Sequence, residues 1–170
     1  MNNMKKIVCC ILAVILISLS ARTIAGFDVK VVDGDSLEIK GKRIRLLGID
    51  APEYFQECYD VHNQKYACGQ NAKKYLEYLI EDGQTRGEKL KCKMEGTDRY
   101  KRELSVCYIG KKNLNLQMIK AGYALSYKDD RYLAAEKRAH HKKKGIWQGK
   151  FMRPEIYRAL QREQEKQKNI

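Results

Sequence analysis

Three short stretches of this chain carry residue types suited to phosphate and metal chemistry. They are Val-Val-Asp-Gly-Asp-Ser at 31–36, Arg-Leu-Leu-Gly-Ile-Asp-Ala-Pro-Glu at 45–53 and Asp-Arg-Tyr-Lys-Arg at 98–102. In the first, Asp33 and Asp35 stand one residue apart after an apolar run, where a turn needs only one aspartate. Hard divalent cations such as Ca²⁺ take several carboxylate and carbonyl oxygens. Asp35 at the start of one strand and Asp50 at the end of another converge on such an ion if the strands are neighbours. Glu53, on the loop beyond Asp50, is placed to take a proton from water without ligating metal itself. Arg45 and Arg102 offer permanently charged planar forks, which grip phosphate oxygens better than lysine does. A metal, a base and two arginines form a kit for phosphodiester hydrolysis, where the work is positioning and stabilising spreading negative charge. Taken singly, each stretch is an ordinary turn, loop or solvated hairpin end. The chemistry rests on the three together.

Short strands must position these residues. Phe-Asp-Val-Lys-Val-Val (27–32) is β-rich and runs into the Asp-Gly turn, where Gly34 permits a tight reversal. Leu37 and Ile39 alternate along 36–40. After Gly41-Lys42, Ile44 and Leu46 alternate against Arg43 and Arg45 in a strand read over 43–50. This meander suggests a small curled barrel. A loop at 51–69 follows, then an amphipathic helix over 70–80 that buries Ala72, Leu76, Leu79 and Ile80, with Gly83 and Gly87 as its stop. Two further strands, 88–95 and 103–110, flank the 96–102 loop. The remainder is helical: one segment capped by Asn113 or Asn115, one spanning 129–145 with acidic residues first and lysines last, and a charged tail helix from Pro154. Tyr132, Leu133, Ala135 and Trp147 read as packing residues, and His62, His140 and His141 as surface groups. Strands followed by helices, without β-α-β alternation, argue for an α+β fold.

The chain has 170 residues and a net charge of +13, a balance that favours polyanionic partners or anionic membrane surfaces. Residues 1–25 read as an export signal: Lys5 and Lys6, an apolar run at 7–19, then small residues before candidate cleavage sites after Ala21 or Ala25. The run is shorter than the ~20 residues a membrane span requires, so cleavage is favoured over an uncleaved anchor through 7–25. Without these residues, which include Lys5, Lys6 and Arg22 and nothing acidic, the charge is +10. Cys58, Cys68, Cys92 and Cys107 remain, an even set that implies disulfides in an exported chain, with three connectivities open. Zinc ligation by Cys58, His62 and Cys68 lacks a compact spacing and a fourth ligand. The domain plan is therefore a signal or anchor at 1–25, one folded domain at 26–152 and a helical tail at 153–170.

In this order, VVDGDSLEI, RIRLLGIDAPE, CGQNAKKYL, TDRYKR and AEKRAHHKKKGIW resemble the staphylococcal nuclease (thermonuclease) family, over about residues 27–152. The cysteine-bearing loop is similar to that of exported bacterial members. The resemblance implies a five-stranded OB-fold β-barrel with three α-helices. It implies Asp35 and Asp50 as side-chain ligands of Ca²⁺, with Asp33 nearby and the Ala51 backbone carbonyl as a third ligand, at a position often held by threonine. Glu53 matches the family's general base, Arg45 and Arg102 its phosphate-binding arginines, and Tyr100 and Tyr127 tyrosines that line the nucleotide pocket. Lys101 stands where the family often has glycine, which puts the hairpin tip in question. The implied activity is Ca²⁺-dependent, sugar-nonspecific endonucleolytic cleavage of DNA and RNA to 3′-phosphate products. Single strands are preferred because bases must unstack to meet pocket aromatics, and the enzyme is a monomer, secreted or periplasmic. The rival is a catalytically silent module of the same fold that grips nucleic acid or a protein, and the complete arginine–glutamate–aspartate set argues against it. The cysteines are paired as Cys58–Cys68, closing the loop after the site, and Cys92–Cys107, lying at similar distances from the 96–102 turn on adjacent strands.

Overall fold

Strands β1 (Val29–Asp33), β2 (Ser36–Ile39) and β3 (Lys42–Leu46) form the antiparallel meander that the alternation predicts, and Val31, Leu37, Ile44 and Leu46 turn into the core. The structure, a computed structural model, describes residues 29–168; the export signal or anchor expected at 1–25 lies outside the described residues. The strand read over 43–50 is broken at Leu47-Gly48, and Ile49–Asp50 forms a separate short strand, β4. After the loop come the small hairpin β5 (Cys58–Tyr59) and β6 (Lys65–Tyr66), helix α1 (Cys68–Thr85), and strands β7 (Leu90–Thr97), β8 (Glu103–Ile109) and β9 (Lys112–Asn113). Strand β3 pairs in parallel with β8, so the sheet runs β1-β2-β3-β8-β7, with β9 on β8 as its sixth strand.

No described ladder joins β1 to β7, so the sheet is curved but open, in place of the closed five-stranded barrel. The outer strand β7 carries exposed Lys91, Lys93 and Glu95, and a charged edge resists a further partner. Irregular register at Val31–Asp33 and at Met94–Gly96 bends the sheet, and α1 packs on β1 and β8. Helix α1 runs well past the expected 70–80 because Gly83 is no stop: that face of the helix lies against Ile109 of β8.

Helix α2 (Leu114–Lys120) is capped by Asn113, whose side chain accepts the Leu116 N–H at 2.9 Å. Asn115 is buried instead, accepting the Cys107 N–H and donating to the Leu47 and Ser105 carbonyls. It thereby ties the break in the β3–β4 strand to β8. Strand β10 (Leu125–Ser126) pairs with β4. Helix α3 (Leu133–His141) follows a single 3₁₀ turn opened by Asp129; Tyr132 and Ala135 are buried there, but Leu133 is exposed. Beyond the 3₁₀ turn Gly145–Gln148, the tail forms helix α4 (Pro154–Lys168), a fourth helix beside the three expected of the domain. Disulfides join Cys58 to Cys68 and Cys92 to Cys107, the latter pair directly opposite across the β7–β8 ladder. Among the described residues, no helix is long and apolar enough to cross a membrane.

Candidate active site

Two close approaches bring the predicted residues together. Gly34 does not adopt a left-handed conformation. A Cβ there would lie 2.7 Å from the Cβ atoms of both Ala51 and Ala72, so glycine lets the Asp33–Asp35 turn press against the 49–51 segment and α1. Its role is close packing, not the special backbone angle that the turn suggested. Gly69, in the first turn of α1, would otherwise drive a Cβ to 1.7 Å from the Glu53 carbonyl oxygen. The loop that carries Glu53 therefore rests directly on the start of α1.

The result is a cavity of about 740 Å³ whose lining includes Asp33, Asp35, Arg45, Glu53, Tyr100, Arg102 and Tyr127. Seven residues singled out in the sequence thus share one space. Asp50 lies buried behind it, bonded to Arg45. The Arg45 guanidinium spans both buried aspartates, with Nη1 against Asp35 Oδ1 and Nη2 at 2.7 Å from Asp50 Oδ1. Burial lowers the Arg45 pKa, a tendency opposed by Asp50 and Asp33. Burial likewise pushes the Asp33 carboxyl above the ordinary range, against the pull of Arg45 and Arg102. Asp33 Oδ1 accepts the Asp35 N–H at 3.0 Å, so one of the doubled aspartates shapes the turn that presents the other.

Arg102 reaches the cavity from the β7–β8 hairpin. Asp98, which the sequence reading passed over, holds that hairpin by accepting the Tyr100 and Arg102 N–H groups and Arg102 Nε. Arg43 donates to the Tyr100 carbonyl at 2.8 Å and ties the tip to β3. Lys101 takes the left-handed backbone with φ 60°, so the tip keeps a shape suited to glycine, at a cost of about 1 kcal/mol. Tyr100 is exposed, with the guanidinium carbons of Arg99 and Arg102 at 4.9 and 5.6 Å from its ring centre. Tyr127 borders the same cavity beside Lys128.

The largest surprise comes from α4. Arg158 Nη1 lies 2.8 Å from Asp50 Oδ1 and 2.7 Å from Glu53 Oε1, and Nη2 lies 3.0 Å from Asp50 Oδ2. Although burial opposes its charge, bonding to Asp50 and Glu53 raises the Arg158 pKa overall. No local pattern in a charged tail marks a contact 108 residues away in sequence.

The donor set suits a hard cation, because the buried carboxylates of Asp35 and Asp50 already converge on one positive charge, the Arg45 guanidinium. Among the described residues, no three acidic, histidine or cysteine side chains form a ready-made metal cage. The bond seen at Ala51 comes from its N–H, which donates to Asp35 Oδ2 at 2.7 Å and orients that aspartate.

The family model described as Staphylococcal nuclease homologue matches residues 43–149, and the chain belongs to this family. Both Asp35 and Arg158 lie outside the matched segment. Among relatives, the chain is 38% identical over 128 residues to an uncharacterized endonuclease of Haemophilus influenzae, covering 70% of this chain and 64% of that protein. It is 32% identical over 121 residues to the succinoglycan biosynthesis protein ExoI of Rhizobium meliloti, covering 69% of this chain and 61% of that protein. It is 29% identical over 130 residues to the thermonuclease of Staphylococcus hyicus, covering 70% of this chain and 73% of that protein. The chain thus spans somewhat less than two thirds of the length of the first two.

Proposed function

We propose that this protein is an exported, Ca²⁺-dependent endonuclease that cleaves DNA and RNA without sugar specificity, leaving 3′-phosphate ends. The observation that carries the reading is the meeting of Asp35, Arg45, Glu53 and Arg102 in one cavity, with Asp50 bonded to Arg45 behind it. Membership of the nuclease family and endonuclease-named relatives support it. Export is supported by the apolar run at 7–19 and by the two disulfides. The enzyme acts as a monomer.

Arg45 and Arg102 grip the scissile phosphate from strand β3 and from the β7–β8 hairpin and meet charge as it spreads over the phosphoryl oxygens. Glu53 takes the proton as water forms its bond to phosphorus. The bond to the 5′ oxygen then breaks, and that oxygen takes a proton from solvent water as it leaves. Ca²⁺ held by Asp35 and Asp50, with Asp33 adding negative charge beside them, would supply Lewis-acid stabilisation of the phosphate. Tyr100 and Tyr127 stack unpaired bases, which favours single strands.

A purified chain should degrade single-stranded DNA with Ca²⁺ and stop in EDTA. Glu53→Gln should lower kcat at least ~100-fold, in line with loss of a general base, while still binding oligonucleotide. Full activity of Glu53→Gln would remove it from the mechanism. Tight binding by the wild-type chain, with no cleavage under any divalent cation, would establish the silent binding module.

A further inference from the structure

Helix α4 lies outside the segment that matches the family model, yet it reaches the floor of the cavity. Its attachment to the rest of the molecule is slight. Pro154 is buried, Gln56 Nε2 donates to the Met152 carbonyl just before it at 2.7 Å, and every residue from Ala159 to Lys168 is exposed. Among the described residues, apart from the adjacent Arg153–Glu155 pair, only Arg158 makes ion pairs between α4 and the rest of the chain.

A carboxylate offers about four lone-pair positions. On Asp50, Oδ1 already accepts from Arg45 Nη2 and Arg158 Nη1, and Oδ2 accepts from Arg158 Nη2. On Asp35, Oδ1 meets Arg45 and Ser36 Oγ, and Oδ2 accepts the Ala51 N–H. Each aspartate thus keeps about one free position, so a cation that draws on both carboxylates competes with the guanidiniums for their lone pairs. Arg45 is held on the sheet between the two aspartates, whereas Arg158 comes from a weakly attached helix, so Arg158 is the group that can leave. Its departure also frees Glu53 Oε1, whose carboxylate has Arg158 as its only described partner.

We propose that Arg158 is a built-in counter-ion that a divalent cation displaces. The tail helix is a latch: docked, it neutralises Asp50 and covers Glu53, and cation binding releases it from the cavity. The significance for catalysis rests on the nuclease reading, but the exchange itself does not. When Ca²⁺ takes Asp50, the base is uncovered in the same step, so an ion-free enzyme holds its acidic groups satisfied and its base occupied.

Hydrogen exchange of residues 154–168, measured without nucleic acid during a Ca²⁺ titration, tests this directly. Wild-type exchange should rise at least ~5-fold at saturating Ca²⁺. In Arg158→Gln it should be high already in EDTA, and calorimetry should show Ca²⁺ bound about tenfold more tightly. Arg162→Gln removes the same charge from the same cavity without a bond to Asp50, and should shift Ca²⁺ affinity less than twofold. Arg158→Lys keeps the charge but loses the fork, and should fall between wild type and glutamine. Unchanged tail exchange on addition of Ca²⁺, or unchanged or weaker Ca²⁺ binding by Arg158→Gln, overturns the latch. DNA cleavage by the same samples separates the two ideas. Cleavage with an unmoved tail sinks only the latch, and a released tail without cleavage sinks only the nuclease reading.

Discussion

Asp98 shows how one side chain sets the geometry of the cavity it borders. Burial pushes its carboxyl up, but hydrogen bonds from the Arg102 N–H, Arg102 Nε and the Tyr100 N–H outweigh this and hold its pKa below the ordinary value. A carboxylate whose pKa is depressed on folding contributes stability that is present above the unfolded value of about 3.9 and lost as pH falls through the folded one. Asp98→Asn should therefore be less stable than wild type at pH 6 in urea titrations, and the gap should shrink below about pH 4. A gap that persists unchanged to pH 2 would show that charge is not what Asp98 contributes. The same contacts make its role legible after the fact. An aspartate opening a tight hairpin that ends in an arginine is a turn signal, but sequence alone does not say that the turn aims a guanidinium.

At the scale of elements, the site depends on how closely a loop can rest on a helix. Helix α1 begins at Cys68, and the loop carrying Glu53 is held there by three devices. They are the Cys58–Cys68 disulfide, the Gly69 N–H donating to the Gln56 carbonyl at 3.3 Å, and the lack of a side chain at Gly69. Gly69→Ala must force the loop and helix apart, since the new Cβ meets backbone that cannot swing away. Overpacking of this kind costs about 3 kcal/mol. Thermal unfolding should register it as a clear loss of Tm, accompanied by reduced kcat because Glu53 moves. A variant as stable and active as wild type would mean that the loop is not held here. Apolar spacing predicts the helix over 70–80 and finds the buried face of α1 correctly. It misses the C-terminal end because Gly83, a breaker in isolation, serves inside the helix as a contact against Ile109.

Across the whole molecule, the excess of 34 Lys and Arg over 21 Asp and Glu sets an attraction for polyanions that no single pair accounts for. The cavity adds Arg43, Arg99 and Lys128 to the two predicted arginines, around a floor of carboxylates. If about three phosphates are neutralised, single-strand affinity should fall roughly tenfold or more between ~50 and ~200 mM salt. Oligonucleotide binding by Glu53→Gln, followed by fluorescence anisotropy across that range, measures the slope. A flat response would exclude backbone phosphates as the main contact.

Local chemistry and pattern were enough to mark Asp35, Asp50, Glu53, Arg45 and Arg102 and the short strands around them, because residue type, turn chemistry and alternation are properties of neighbouring residues. The Cys92–Cys107 pair was legible for the same reason: a hairpin places residues near its turn opposite one another. Tertiary structure alone decided that the sheet stays open, that Gly34 and Gly69 serve close packing, and that Asn115 ties the strand break at Leu47 to β8. It alone decided that Arg158 bonds Asp50 and Glu53. Each of these depends on which distant surfaces touch, and a long-range contact leaves no periodicity or spacing in the chain that makes it.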